Sequence, residues 1–240
     1  HRPGGDRAVK LPVPSRKVRL TLSILFLLFS LVFYWWAVGS PMPTPGLAHR
    51  AALLSYGLTP GPVEAQGTIH FQEITTSPDS TGEGSRWLVS RQGDGWVVTV
   101  HPRAGLFWSQ PNFPVYLLTP SEDSPLEAVL LQYASAYLWE EGISENPFDD
   151  GDWYWEWVSL AVCTLPDVAR IELYQGWYNS IDAGGLSPRD WLLAHGSVAD
   201  CTRLSPDSPF WLCQQVWNPG EGATATLARA YDAQGNLLCE

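Results

Sequence analysis

Between Leu20 and Val38 the chain reads LTLSILFLLFSLVFYWWAV, nineteen residues without a charge. As a helix, at about 1.5 Å per residue, this run spans roughly 28 Å, close to the hydrocarbon thickness of a bilayer. A core helix of a water-soluble domain would show a polar face. This run offers only Thr21, Ser23 and Ser30 besides its aromatic residues, and their hydroxyls can bond back to the helix's own carbonyls. Phe33, Tyr34, Trp35 and Trp36 close the run, where amphipathic rings favour the headgroup level, and mark the membrane interface. Pro41, Pro43 and Pro45 follow and stop the helix. A cleaved signal peptide would have a shorter apolar run. Ala37-Val38-Gly39 does fit a small-x-small cleavage site, but the length and the aromatic end favour a retained anchor.

Charge sets the expected orientation. Arg2, Arg7, Lys10, Arg16, Lys17 and Arg19 precede the run against one acid, Asp6, and no lysine follows it. The positive-inside rule puts the N-terminus in the cytoplasm and everything after Gly39 outside the cell membrane. Residues 20–240 carry eight arginines against twenty-four acids. A domain this acidic is repelled by phosphate backbones, so nucleic acid is not an expected partner. The bilayer is the first expected partner. No N-x-S/T site occurs, which fits a bacterial source.

Cys163, Cys201, Cys213 and Cys239 all lie on the side expected to be exported, where disulfides persist. Two bridges are expected, with three connectivities open. The spacings match no zinc, iron–sulfur or c-type haem motif, and no cofactor is expected.

Four stretches follow from this: a basic tail at 1–19, a transmembrane helix at 20–38, a Pro/Gly-rich linker at 39–62, and an extracytoplasmic domain at 63–240. Within the linker, Leu47–Tyr56 suggests a short helix near the membrane surface. In the outer domain, Arg86–Arg91 and Trp96–His101 flank Gln92-Gly93-Asp94-Gly95, a hairpin signal, with Trp87, Val89, Trp96, Val98 and Val100 facing inward, or the reverse parity on one of the two strands. Thr68–Ile74 and residues 113–119 read as further strands. Ser124–Glu140 reads as a helix: Ser124 as cap, Pro125 at the first position, and Leu126, Val129, Leu130, Tyr133, Tyr137 and Leu138 at helical spacing. Asp152–Leu165 reads as a second helix, Val168–Tyr174 as a strand and Ser187–His195 as a short helix. Phe210–Trp217, Thr224–Tyr231 and Leu237–Cys239 read as strands. The expected class is α+β: one N-terminal transmembrane helix followed by a mixed α/β outer domain stapled by disulfides. The strand–helix–helix–strand order over residues 115–174, with the phrase LPDVARIEL, resembles the GerMN-type extracytoplasmic domain, which is associated with assembly and envelope complexes. No diagnostic motif accompanies that likeness, and no family is assigned.

Two features point outward. Glu140, Glu141, Glu145, Asp149, Asp150, Asp152 and Glu156 fall together without a Lys or Arg among them. They suit a solvated loop with Asp150 or Asp152 capping the next helix, a surface for a basic partner, or a calcium ion. The run does not match the EF-hand spacing. Trp153, Trp155 and Trp157 alternate around Tyr154. On a strand they would line one face, and large aromatic rings are common at interface hot spots and stack on sugars. Asp149, Asp150, Asp152, Trp153, Trp155 and Trp157 are therefore the candidate partner contacts. His49, His70, His101 and His195 are scattered, and no nucleophile elbow, metalloprotease helix or phosphate-binding glycine motif is present. The expectation is a non-enzymatic, single-pass accessory or scaffold subunit of a larger membrane complex, an electron-transport assembly being one host, with other subunits as partners. The alternatives are a glycan-binding or glycan-cleaving envelope domain, and a calcium-stabilised adhesion or sensor domain.

Overall fold

Helix α1 runs from Arg16 to Ala37 and α2 from Pro45 to Ser55. Nine strands follow: β1 (Val63–Thr68), β2 (Arg86–Gln92), β3 (Gly95–His101), β4 (Arg103–Ala104), β5 (Phe107–Trp108), β6 (Tyr116–Leu118), β7 (Leu126–Leu138), β8 (Asp152–Cys163) and β9 (Arg170–Tyr178). Helix α3 (Pro188–His195) precedes β10 (Ser197–Asp200), β11 (Thr202–Arg203), β12 (Phe210–Trp217), β13 (Ala223–Tyr231) and β14 (Leu237–Cys239). The structure is a computed structural model and describes residues 15–37, 41–71, 84–109, 115–138, 152–179, 183–217 and 223–240. The chain divides into two units, His1–Pro41 and Met42–Glu240.

The first unit holds α1, which from Arg16 to Trp36 is long and apolar enough to cross a membrane or to be a signal sequence. Among the described residues, none of its apolar window is buried. Phe33, Tyr34, Trp35 and Trp36 are all exposed, and the Trp35 Nε1–H donates to the Pro41 carbonyl at 2.9 Å.

The second unit is mostly β rather than evenly mixed α/β. Among the described residues, three four-stranded sheets run in the orders β1-β2-β3-β6, β11-β12-β8-β7 and β10-β9-β13-β14, and β4 pairs with β5. Every pairing is antiparallel. The second sheet is the middle layer. Its Val158, Leu160, Val162 and Phe210 pack with Trp87, Val89, Trp96, Val98 and Val100 of the first sheet. Its Ala161, Cys163, Trp211 and Cys213, which point the other way, pack with Ile171, Leu173 and Ala230 of the third. Period-two alternation thus sends neighbouring β8 residues into two different cores. The outer faces of the two flanking sheets carry the helices. Ala48, His49, Ala52 and Leu53 of α2 are buried, and α2 packs against β2 and β3. Helix α3 packs against β9 and β13. There Gly176 makes room for Trp191: a Cβ on it would sit 2.7 Å from the indole ring.

The hairpin β2–β3 forms as its sequence predicts, with Gln92 opposite Gly95 and Gly93 at φ 59° in the turn. The five residues expected to face inward on it all enter the first core. Helix α3 also forms where expected, its Ser187 side chain accepting from the Asp190 amide. Two expected helices are strands instead. Ser124–Glu140 contains β7, and Asp152–Leu165 contains β8; the two strands pair along their length. Leu130 and Gln132 flank a bulge there, opposite Ser159 and Val158. The bulge interrupts alternation, and the middle layer is apolar on both faces, so strand residues fell at helix-like spacing. With those helices gone, the strand–helix–helix–strand likeness to the GerMN-type domain lapses, and Asp152 opens a strand rather than capping a helix. Helix α2, inside the stretch read as linker, belongs to the same unit as the sheets and packs on them.

Candidate functional site

Aromatic rings gather where β7, β8 and β9 come together. Tyr133 lies opposite Trp157, and Ser135 opposite Trp155, in the β7–β8 ladder. The Tyr133 ring stacks on Trp155 with centroids 4.9 Å apart and planes 13° apart. Trp155 in turn meets the edge of Trp177 from the third sheet at 5.9 Å and 87°, and Trp157 at 6.3 Å. Offset stacks and edge contacts of this kind are the favoured aromatic geometries. The cluster runs from solvent to core: Tyr133 is 43% exposed and Trp157 only 2%.

Amides sit beneath these rings. Gln215 lies opposite Trp157 in the β12–β8 ladder and is buried. Neither its Nε2 nor its Oε1 has a hydrogen-bond partner. Gln175 donates from Nε2 to the Ser159 hydroxyl at 3.3 Å, while its Oε1 has no partner. Buried amide atoms left unpaired cost on the order of 1–3 kcal/mol each.

The strand explains the tryptophan spacing. Positions 153, 155 and 157 share one strand parity. Trp155 and Trp157 join the cluster, and Trp153 pairs through its backbone with Tyr137. Of the acidic run, only Asp152 and Glu156 lie within the described residues. Asp149 and Asp150 lie outside the described residues, as do Glu140, Glu141 and Glu145. Asp152 pairs with Leu138 at the start of β8. Glu156 is fully buried, accepting from the Gln214 side chain, which also donates to the His70 carbonyl. Among the described residues no three His, Cys, Asp or Glu side chains are grouped to hold a metal ion.

The four cysteines divide. Cys201 and Cys213 form a disulfide; Cys163 and Cys239 are free thiols that contact each other. Their shared burial pushes both thiols up, Cys239 to about 11.

A second polar cluster lies under α2. His49 reaches Ser90 Oγ with Nε2 at 2.9 Å and Thr99 Oγ1 with Nδ1 at 2.7 Å. Thr99 Oγ1 also meets His101 Nε2 at 2.8 Å, and His101 Nδ1 meets the Ser109 carbonyl at 3.2 Å. A carbonyl only accepts, so with both imidazoles held neutral by burial that last contact assigns the other protons in the chain. His101 donates from Nδ1, and its Nε2 accepts from the Thr99 hydroxyl. Thr99 therefore accepts from His49 Nδ1–H, and His49 Nε2 accepts from the Ser90 hydroxyl. Both imidazoles are neutral in this arrangement. Burial pulls both down, to about 4, with the Ser109 bond opposing the fall at His101. The Ser90–His49 pair has the outline of a nucleophile and its base. However, Ser90, Thr99 and His101 are fully buried, and a base this weak is poorly matched to neutral pH. The cluster's visible work is to hold α2 on the sheet.

The sequence pattern singled out Trp155 and Trp157 but not Tyr133, Trp177, Gln175 or Gln215. The alternating tryptophans were the available signal, because strand parity at β8 selects the face that Tyr133 and Gln215 share and that Trp177 and Gln175 of the third sheet meet. His49 and His101 looked scattered because a hairpin and a helix, fifty residues of sequence, separate the two ends of their network.

Comparison with protein-family models, with characterised proteins and with solved structures found no match.

Proposed function

We propose that this chain is a single-pass membrane protein whose β unit stands on the outer side and binds another subunit of a membrane complex, as an accessory or scaffold component. The observation that carries the reading is the aromatic cluster at one end of the sheets. Tyr133 presents an exposed ring, and Trp155, Trp177 and Trp157 back it into the core. A rigid, pre-ordered aromatic anchor of this kind is what protein hot spots use, because little side-chain freedom is lost on binding. The apolar helix supplies the attachment, and the basic tail before it supplies the orientation. The acidic balance of the outer part would attract a basic partner, such as a soluble carrier serving an electron-transport host.

The test is gentle detergent extraction of native membranes, then a native gel and mass spectrometry of what carries this chain. Migration in a large assembly with reproducible partners is expected. A stable monodisperse monomer would sink the scaffold reading.

One observation favours a second reading. Gln175 and Gln215 keep unpaired amide atoms beside the tryptophans, and rings plus amides are the groups that hold sugars. That reading expects tryptophan fluorescence of the full chain in detergent to shift with cell-wall or polysaccharide fragments. No shift across a broad panel removes it.

A further inference from the structure

The third sheet has two edges, β10 and β14. Cys201 directly follows β10 and is bonded to Cys213 on β12 of the middle sheet. That bridge fastens one edge of the third sheet to the middle layer. Cys239 lies on β14, the other edge, and its thiol contacts Cys163 at the end of β8, the middle-sheet strand beside β12. All four sulfurs belong to the one core between the two sheets.

We propose that Cys163 and Cys239 are a second disulfide site, so that both edges of the third sheet are stapled to adjacent central strands. The inference rests on the outer placement of the β unit proposed above. Strand β14 needs such a tie. It has three residues, pairs with β13 only at Ala230 and Tyr231 around a bulge, and leaves Leu237 and Leu238 exposed. Short edge strands with little burial open first. The tie would also hold the adjoining Glu240, whose carboxylate takes Arg189 of α3 at 2.5 Å and Arg229 of β13 at 3.3 Å. One bond would thereby brace β14, β13 and α3 together.

Two thiols give up two protons and two electrons as the sulfur–sulfur bond forms. The acceptor is the disulfide of an exported thiol–disulfide oxidase, which leaves as a dithiol. Neither cysteine has the features of an exchange catalyst. Cys163 is buried, and no cation lowers either thiol below its usual range. The bridge is structural.

Trypsin separates the four cysteines, because Arg170, Arg189, Arg203 and Arg229 fall between them. The full chain is extracted from the membranes of an exporting host, free thiols are blocked with iodoacetamide at lysis, and the digest is analysed by mass spectrometry without reduction. The expected result is two cross-linked pairs, Cys163 with Cys239 and Cys201 with Cys213. Alkylated Cys163 and Cys239 beside an intact Cys201–Cys213 bridge would overturn the proposal while leaving the outer placement standing. Crosswise pairing would also overturn it. Four alkylated cysteines would overturn it and the outer placement together. Cys239→Ser serves as the control, and should leave Cys163 open to alkylation once the chain is denatured.

Discussion

Acid should loosen the attachment of α2 through the His49–Thr99–His101 relay. In the folded chain an added proton on His49 Nε2 or His101 Nε2 would force the Ser90 or Thr99 hydroxyl to turn from donor to acceptor, and burial disfavours the charge. In the unfolded chain both imidazoles titrate near 6.5, whereas burial holds them at about 4 in the fold. Between these values the unfolded state binds more protons, so stability is full above pH 6.5 and is lost as pH falls towards 4. At pH 4.5 each imidazole subtracts about 2.5 kcal/mol, from ~1.36 kcal/mol per pH unit across the gap. The two face each other across the Thr99 hydroxyl, and mutual repulsion disfavours protonating both in the fold, so the pair is expected to subtract about 5 kcal/mol. A domain stability of roughly 5–15 kcal/mol makes that a large share. The assay is urea unfolding of the full chain in detergent, followed by tryptophan fluorescence from pH 7.5 to 4.5. His49→Gln with His101→Gln removes both titrating groups while keeping polar atoms in place. The double variant should lose about 1–3 kcal/mol at pH 7.5, through imperfect pairing of Ser90 and Thr99. Its further loss on acidification should be less than half that of the parent chain. An unchanged acid slope in the double variant would refute the assignment of this window to the relay.

Replacing Gly176 with Val should push Trp191 away and cost about 1–3 kcal/mol by overpacking. Hydrogen exchange across 188–195 should rise, and unaltered exchange there would count against the close approach. Cys239→Ser should cost up to about 4 kcal/mol, as expected for opening a long loop in a chain-entropy account; a loss under ~1 kcal/mol in thermal melts would mean the bridge does little or is not formed. Tyr133→Ser, at an exposed ring, should leave the melt nearly unchanged yet weaken migration with the larger assembly on native gels. Retention of the assembly at parental level would move the docking surface elsewhere. Trp155→Ala should instead cost about 3–5 kcal/mol, since its ring contacts Tyr133, Trp157 and Trp177; a melt within ~1 kcal/mol of the parent chain would show the cluster to be loosely packed.

Local rules were enough at several elements with one face on solvent or a helix, but not at β1, which ends at Thr68 where the expected strand Thr68–Ile74 begins. The hairpin at 86–101 carried its turn chemistry and its alternation, and α3 carried its Ser187 cap and Pro188. The apolar run of α1 needed only its length. They failed at β7 and β8 of the middle sheet, although Phe210–Trp217 forms β12 as expected. Both faces of β7 and β8 are covered, so polar residues do not mark alternate positions. The bulge after Leu130 then shifts the phase of β7 by one residue. Ser124-Pro125 offered a helix start that tertiary packing overrode. The site was legible in the same proportion. Trp155 and Trp157 showed themselves by spacing, whereas Tyr133 and Trp177 join them only through ladders and sheet stacking that no local window contains.

The middle sheet also ties the stability of this unit to its candidate site. Strand β8 carries Cys163 at one end and Trp155 towards the other, on the same strand parity. Between them lie Trp157, Ser159 and Ala161, so one face of one strand grades from a cysteine-lined core, through small and polar residues, to aromatic rim. The lower part is fully packed against Ile171 and Leu173. In the upper part buried amides at Gln175 and Gln215 keep unpaired atoms. A packed, cross-linked end can hold the sheets in register while the other end keeps its polar groups for a ligand. On that argument the bridges and the aromatic cluster are complementary: loosening β14 by Cys239→Ser should disturb binding at Tyr133 less than it lowers the melt. A parallel loss of both would mean that the two ends of β8 act as one unit.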